Sequence, residues 1–183
     1  MKITISATDA AAIRAAMKDI IGNTLSLAEK FKVIGLRSES GKITAFVCDG
    51  YRLIQKTVSS FGVSDEGIIY TPLFDKPKGK EAVLEFESDG KQTTIKTTGL
   101  EPPLTETSVT YKLPSGEMFD PRKVFPETDS FTYEIGVTAK YLSSLLNAMS
   151  GKVVKLKFQD SNTKPFILEC GDEELALLVP CRI

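Results

Sequence analysis

The same order of hydrophobic periods occurs at both ends of this 183-residue chain. Near the start, Ile3 and Ile5 alternate with Lys2, Thr4 and Ser6, the period-two pattern of a half-buried strand. Ile13, Met17, Ile20 and Ile21 then follow at helical spacing. Near the end, Tyr133, Ile135 and Val137 alternate with polar or small residues, and Tyr141, Leu142, Leu145, Leu146 and Met149 form a second helical stripe. A shift of 132 superposes Ile3 on Ile135, Ile5 on Val137, Ile13 on Leu145, Ala16 on Ala148 and Met17 on Met149. The repeat is weak in identity and consistent in pattern. A chain built from such copies has to bury each stripe in a common arrangement, which leaves few folds open.

Strand-like runs at 32–37, 42–48 and 52–58 follow the first helix, with turns at 38–41 and at Asp49-Gly50. Thr8 or Asp9 is the expected helix cap. A second set of strands is expected at 67–70, 82–87, 92–97 and 108–113. Where this copy should carry its helix it has only Leu73-Phe74-Asp75-Lys76 before Pro77, so it is a shortened copy. Pro114, Gly116, Pro121 and Pro126 mark 114–130 as a linker. The last copy has Thr138 as candidate cap, Gly151 as helix stop, and strands at 153–158, 166–170 and 175–182. The expected organisation is a domain at 1–113, a linker at 114–130 and a half-domain at 131–183. The fold class is α+β, built of repeated β-α-β-β-β modules with antiparallel sheets and helices on one face.

The chain has no His, which excludes Ser-His-Asp and Cys-His catalysis and His-containing zinc sites. An enzyme would have to rely on Cys48, Asp49, Asp160 or Glu169, and none has a partner at recognisable spacing. Cys48, Cys170 and Cys181 lack CxxC spacing and are expected to be small buried apolar groups in a reducing compartment. The opening Met1-Lys2-Ile3-Thr4 runs into an alternating segment rather than an apolar signal core, and no run approaches the roughly 18 apolar residues of a bilayer span. A cytoplasmic location is therefore expected. The net charge of −1 excludes a polycation, but it is unevenly shared: +4 over 1–61, −6 over 62–135 and +1 over 136–183. That asymmetry fits either a local anion-binding face or ordinary surface scatter.

Three segments carry a resemblance. Asp49-Gly50-Tyr51-Arg52-Leu53, Arg122-Lys123-Val124-Phe125-Pro126 and Val179-Pro180-Cys181-Arg182-Ile183 resemble, in order, segments of the bacterial DNA polymerase III beta subunit, or sliding clamp, family. Residues 133–183, with Ile-Gly-Val-Thr-Ala-Lys-Tyr-Leu before the last helix, are similar to that family's final half-domain. The resemblance implies a DNA clamp fold whose helices line a hole around duplex DNA. It also implies a hydrophobic pocket for short linear motifs of DNA polymerases and other replication proteins. On this chain the pocket would use Gly50, Tyr51, Arg52, Leu53, Lys123, Val124, Val179, Pro180, Cys181 and Arg182. Tyr51 stands where the family usually has His, and Cys181 where it usually has Met. The DNA-facing cations would be Arg14, Lys18, Lys140 and Lys152. The family's subunit has three complete domains, whereas this chain shows three half-modules, one lacking its helix. The implied function is that of a processivity or recruitment factor without chemistry or cofactor, acting as a homo-oligomer with no membrane partner. The alternative is an adaptor or decoy that keeps the peptide pocket without encircling DNA.

Overall fold

The computed structural model describes residues 1–21, 32–48, 53–75, 81–100, 105–120, 134–149, 153–171 and 174–181. They belong to two compact units, Met1–Phe125 and Pro126–Ile183. In the first unit β1 (Lys2–Ser6) leads into α1 (Ala7–Ile21), followed by β2 (Ile34–Glu39), β3 (Lys42–Cys48) and β4 (Leu53–Ser59). A second copy supplies β5 (Gly67–Thr71), β6 (Ala82–Ser88), β7 (Gln92–Gly99) and β8 (Glu106–Lys112). Residues 71–75, where a second helix would begin, are not helical.

The two copies exchange their opening strands. The sheets run β4-β3-β2-β5 and β1-β6-β7-β8, so β1 lies in the sheet of the second copy and β5 in that of the first. Ile3 stands opposite Phe86 and Ile5 opposite Leu84, while Leu36 stands opposite Ile69. All six are essentially inaccessible to solvent and belong to one apolar cluster shared by both sheets. The other edge of β1 is bonded within its own copy: Phe61 N donates to Thr4 O at 3.0 Å and Asp65 N to Lys2 O at 2.8 Å.

Packing holds α1 in place. A helix of 15 residues is marginal alone, but Ala7, Ala10, Ile13, Met17 and Ile20 are buried against β3, β4, β1 and β6. Full burial of a side chain such as Ile13 or Met17 contributes roughly 1.5–3 kcal/mol. The helix starts earlier than the sequence suggests, because its cap is Ser6 rather than Thr8 or Asp9. Asp9 N donates to Ser6 Oγ at 3.1 Å, and Ser6 Oγ donates to Asp9 Oδ2 at 2.6 Å. The last strand residue therefore satisfies an orphan donor of the first helical turn.

In the non-helical segment 71–75, Phe74 fills part of the space that a helix there would take. Its ring is buried and lies edge-on to Phe86 at 5.3 Å between centroids. Beside it a groove of about 440 Å³ remains open over Leu84, Ile95, Val109 and Tyr111.

The second unit has α2 (Ala139–Ala148), β9 (Lys155–Lys157), β10 (Phe166–Cys170) and β11 (Glu174–Leu178), with sheet order β11-β10-β9. The expected opening strand is reduced to one bridge between Gly136 and Cys181. Leu142, Leu145 and Met149 pack on Phe166, Leu168 and Leu178. Tyr141 and Leu146, expected in the same stripe, are instead exposed because the core they meet is only one sheet wide. Thr138 precedes α2 but makes no side-chain cap bond, and Gly151 lies outside the described residues. The strands expected at 153–158 and 175–182 are shorter, at Lys155–Lys157 and Glu174–Leu178. Among the described residues, no helix is long and apolar enough to cross a membrane.

Gly35 offers a direct test of this packing. It stands opposite Phe46, whose ring lies where a side chain at 35 would sit, so a Cβ there would come within 2.0 Å of the ring. Gly35→Ala should cost about 1–3 kcal/mol, read as a lower urea midpoint at unchanged slope. Adding Phe46→Leu should recover part of that loss, because the two changes share one space.

Candidate DNA and peptide interface

A face of α1 beside the one carrying Ile13 and Met17 holds Arg14 and Lys18, with Ala11 and Ala15 next to them. The two cations are held differently. Arg14 is half-buried and its Nε donates to the Phe74 carbonyl oxygen at 3.0 Å, so it ties α1 to the non-helical segment 71–75. Lys18 is exposed in the last turn, where a cation complements the helix dipole. In the second unit Lys140 is exposed in the first turn of α2, which has no acidic residue. A cation at that end opposes the dipole, so Lys140 gains nothing from the helix and is available to an external anion. Lys152 lies outside the described residues.

The residues assigned to the peptide pocket are only partly described. In the first unit Leu53 opens β4, half-buried and paired with Cys48 across the hairpin. Gly50, Tyr51, Arg52, Lys123, Val124 and Arg182 fall outside the described residues. In the second unit Val179 is 61% exposed, Pro180 half-buried and Cys181 exposed. Cys181 is fixed through its backbone, with N donating to Gly136 O at 2.8 Å. Of the three cysteines expected to be buried, only Cys170 is; Cys48 is half-buried and Cys181 exposed, because Cys181 lies past the end of β11 and no sheet covers it.

Val179 continues a stripe. Leu175, Leu177 and Val179 emerge on one face, with Ile167 opposite Leu177, and all four are exposed. The other face of the same strand packs Ala176 and Leu178 into the core. The unbroken run Leu175-Ala176-Leu177-Leu178-Val179 carried this signal, since a strand with one wet face should alternate. An apolar stripe of this kind suits the anchors of an extended peptide.

Of the four groups considered for catalysis, Glu169 and Asp160 are engaged in surface ion pairs, and Cys48 is half-buried at the end of β3. Glu169 lies between Lys155, at 3.5 Å, and Lys157, and the hydrogen bond from Lys157 holds its carboxyl below the usual range. Asp160 pairs with Lys164 at 3.1 Å. Asp49 is outside the described residues. Among the described residues, no group of three or more Cys, Asp or Glu is placed to hold a metal.

This strand-exchanged architecture is that of the DNA sliding clamps. The Bacillus subtilis DNA polymerase sliding clamp superposes with a TM-score of 0.66 at 14% identity, covering 98% of this chain and 49% of that one. A putative DNA polymerase III beta subunit from Eubacterium rectale gives 0.67 at 12% identity, covering 98% and 50%. The Helicobacter pylori beta clamp bound to a DNA ligase peptide gives 0.59 at 16% identity, covering 98% and 51%. The chain thus spans about half the length of the clamps whose fold it shares. No family model matches it, and no curated protein matches it by sequence.

The two α1 cations should separate in stability measurements. Arg14→Ala removes a hydrogen bond from a charged donor to a half-buried carbonyl and should cost about 1 kcal/mol. Lys18→Ala should stay within about 0.5 kcal/mol, as is usual for an exposed side chain. Thermal or urea unfolding of the two variants checks this.

Proposed function

We propose that the protein is a cytoplasmic, clamp-fold processivity or recruitment factor that acts by binding, without chemistry of its own. It contacts duplex DNA non-specifically and receives short linear motifs of a DNA polymerase or other replication proteins, and it works as a homo-oligomer. One observation carries the reading: clamp architecture over 98% of the chain, together with three clamp-like segments in clamp order. The DNA contacts are assigned to Lys18, Lys140, Lys152 and the free end of the Arg14 guanidinium. Such contacts go to phosphates and carry no base information. The peptide contacts are assigned to Gly50, Tyr51, Arg52, Leu53, Lys123 and Val124, and to Val179, Pro180, Cys181 and Arg182. The exposed stripe that ends at Val179 supports the second group.

An adaptor or decoy that binds such peptides without encircling DNA is the second reading. The tie between Arg14 and Phe74 favours it, because a cation that holds the fold together contributes less to DNA. DNA retention separates the two. For the clamp reading, binding falls steeply between low and physiological salt, and Arg14→Glu with Lys18→Glu removes most of it at low salt. Retention unchanged by both substitutions sinks the DNA assignment.

For the peptide, a labelled polymerase-type motif is titrated into wild type, Leu53→Asp and a chain lacking residues 180–183. An aspartate without a partner in an apolar site costs a few kcal/mol, so affinity should fall about a hundredfold or more in variants whose circular dichroism shows them folded. Equal affinity in all three chains rejects the site.

A further inference from the structure

In the first unit, the opening strand of a copy has two neighbours. One edge of β1 is bonded to the exit segment of its own copy, through Phe61 N and Thr4 O; the other is paired with β6 of the other copy. The second unit repeats the first half of this arrangement. Cys181 N donates to Gly136 O at 2.8 Å, and Gly136 stands 132 positions after Thr4. The second half is open. Among the described residues β9 pairs with β10 alone; its core-facing Leu156, and Phe158 just past its end, stand 72 positions after Leu84 and Phe86. Leu84 and Phe86 are 1% and 0% exposed, whereas Leu156 and Phe158 are 47% and 54% exposed. With Ile135, Val137, Leu142 and Phe166 they line an open apolar hollow of about 370 Å³.

We propose that a second copy of this chain fills that hollow, the two copies exchanging their 135–137 segments across β9 to complete one domain by two-fold symmetry. The first unit gives the reason for this occupant. What pairs with the open strand of such a module is the opening strand of another module, and 135–137 is the opening segment of this one, bridged to Cys181 on one edge and, among the described residues, paired with nothing on the other. A two-fold axis makes each copy supply what the other lacks, as in an isologous interface. The register follows from β1 on β6: Ile135 opposite the second copy's Phe158, Gly136 opposite its Lys157 and Val137 opposite its Leu156. Charge agrees. Lys2 and Glu85 form an ion pair at 2.5 Å across β1 and β6, and the corresponding positions are Glu134 and Lys157, again of opposite sign but reversed, with Lys157 shared with Glu169 of its own chain.

The proposal extends the assembly part of the function proposed above. Its test reads mass and cross-linking alone, so its failure is distinguishable from a failure of DNA or peptide binding. Light scattering of the full chain at high micromolar concentration should give twice the 20.0 kDa chain mass. Leu156→Glu or Phe158→Glu should halve it with circular dichroism unchanged, since both side chains are already exposed in the single chain. Leu177→Glu, on the opposite face of the sheet, should leave it unchanged. The register is tested by Gly136→Cys with Lys157→Cys in a chain carrying Cys48→Ser, Cys170→Ala and Cys181→Ser. Thr4 spends its backbone N–H and carbonyl on its own copy, so Gly136 and Lys157 would form a non-hydrogen-bonded pair with Cα atoms about 4.5 Å apart, within disulfide reach. An inter-chain disulfide should form on oxidation, and it should not form when Lys155→Cys replaces Lys157→Cys. A single-chain mass, a mass lowered by Leu177→Glu but not by Phe158→Glu, or equal cross-linking in both registers overturns the proposal.

Discussion

The rest of the structure depends on the exchange of opening strands between neighbouring modules. A strand placed in its own sheet would let each module close independently. Here β1 completes the sheet of β6, β7 and β8 and β5 completes that of β2, β3 and β4, so neither half of the first unit can bury its apolar face without the other. Ile3, Ile5, Leu84 and Phe86 form one cluster with Ile34, Leu36 and Ile69. The contacts that hold it together join residues far apart in sequence. Such pairing carries its loop-closure cost before any burial compensates, so slow, concerted folding of this unit is the physical expectation.

Residues 71–75, where the second copy's helix would begin, are not helical, and their neighbours are arranged accordingly. Phe74 takes over part of the buried volume, but a single aromatic ring cannot cover the sheet face a helix would cover, and the groove over Ile95, Val109 and Tyr111 records the difference. The non-helical segment 71–75 has carbonyls to satisfy, and Arg14 from α1 satisfies that of Phe74. A residue singled out in the sequence as a candidate DNA contact thus holds the fold together. Lys18, one turn further along α1 and exposed, carries no such duty.

Most of the strands could be read from the sequence, because half-buried strands alternate and their turns carry Gly. The hairpin of β6 and β7 is an example, with Asp89-Gly90 between Phe86 and Ile95. What local pattern could not supply was the partner of each strand. Nothing near Ile3 indicates that it faces Phe86, and nothing near Ser6 indicates that a strand's last residue also caps the helix. Leu156 and Phe158 show the same limit from the other side. Their alternation is that of core residues, and they are exposed in the single chain because burial of a strand is decided by its neighbours. For the candidate site, Val179 and Leu53 could be singled out only through the family resemblance. The exposed stripe that includes Val179 was visible in its unbroken apolar run, but the same run also fits a strand buried on both faces.

Two apolar surfaces meet on one thin sheet in the second unit, and the backbone period keeps them apart. Ala176 and Leu178 point to the core side, where Phe166, Leu156 and Phe158 lie, while Leu175, Leu177 and Val179 point to the other. With a period of two, no side chain of β11 contributes to both faces. A mate completing the domain and an extended peptide on the outer stripe would therefore not compete for the same atoms. They remain coupled through the backbone, because Cys181, two residues past Val179, is bonded to Gly136, the central residue of the opening segment. Ordering that segment against a second copy would also steady the end of the exposed apolar stripe. Under the proposed function, that coupling would give the chain a physical reason to bind a peptide better when paired with a second copy than when alone.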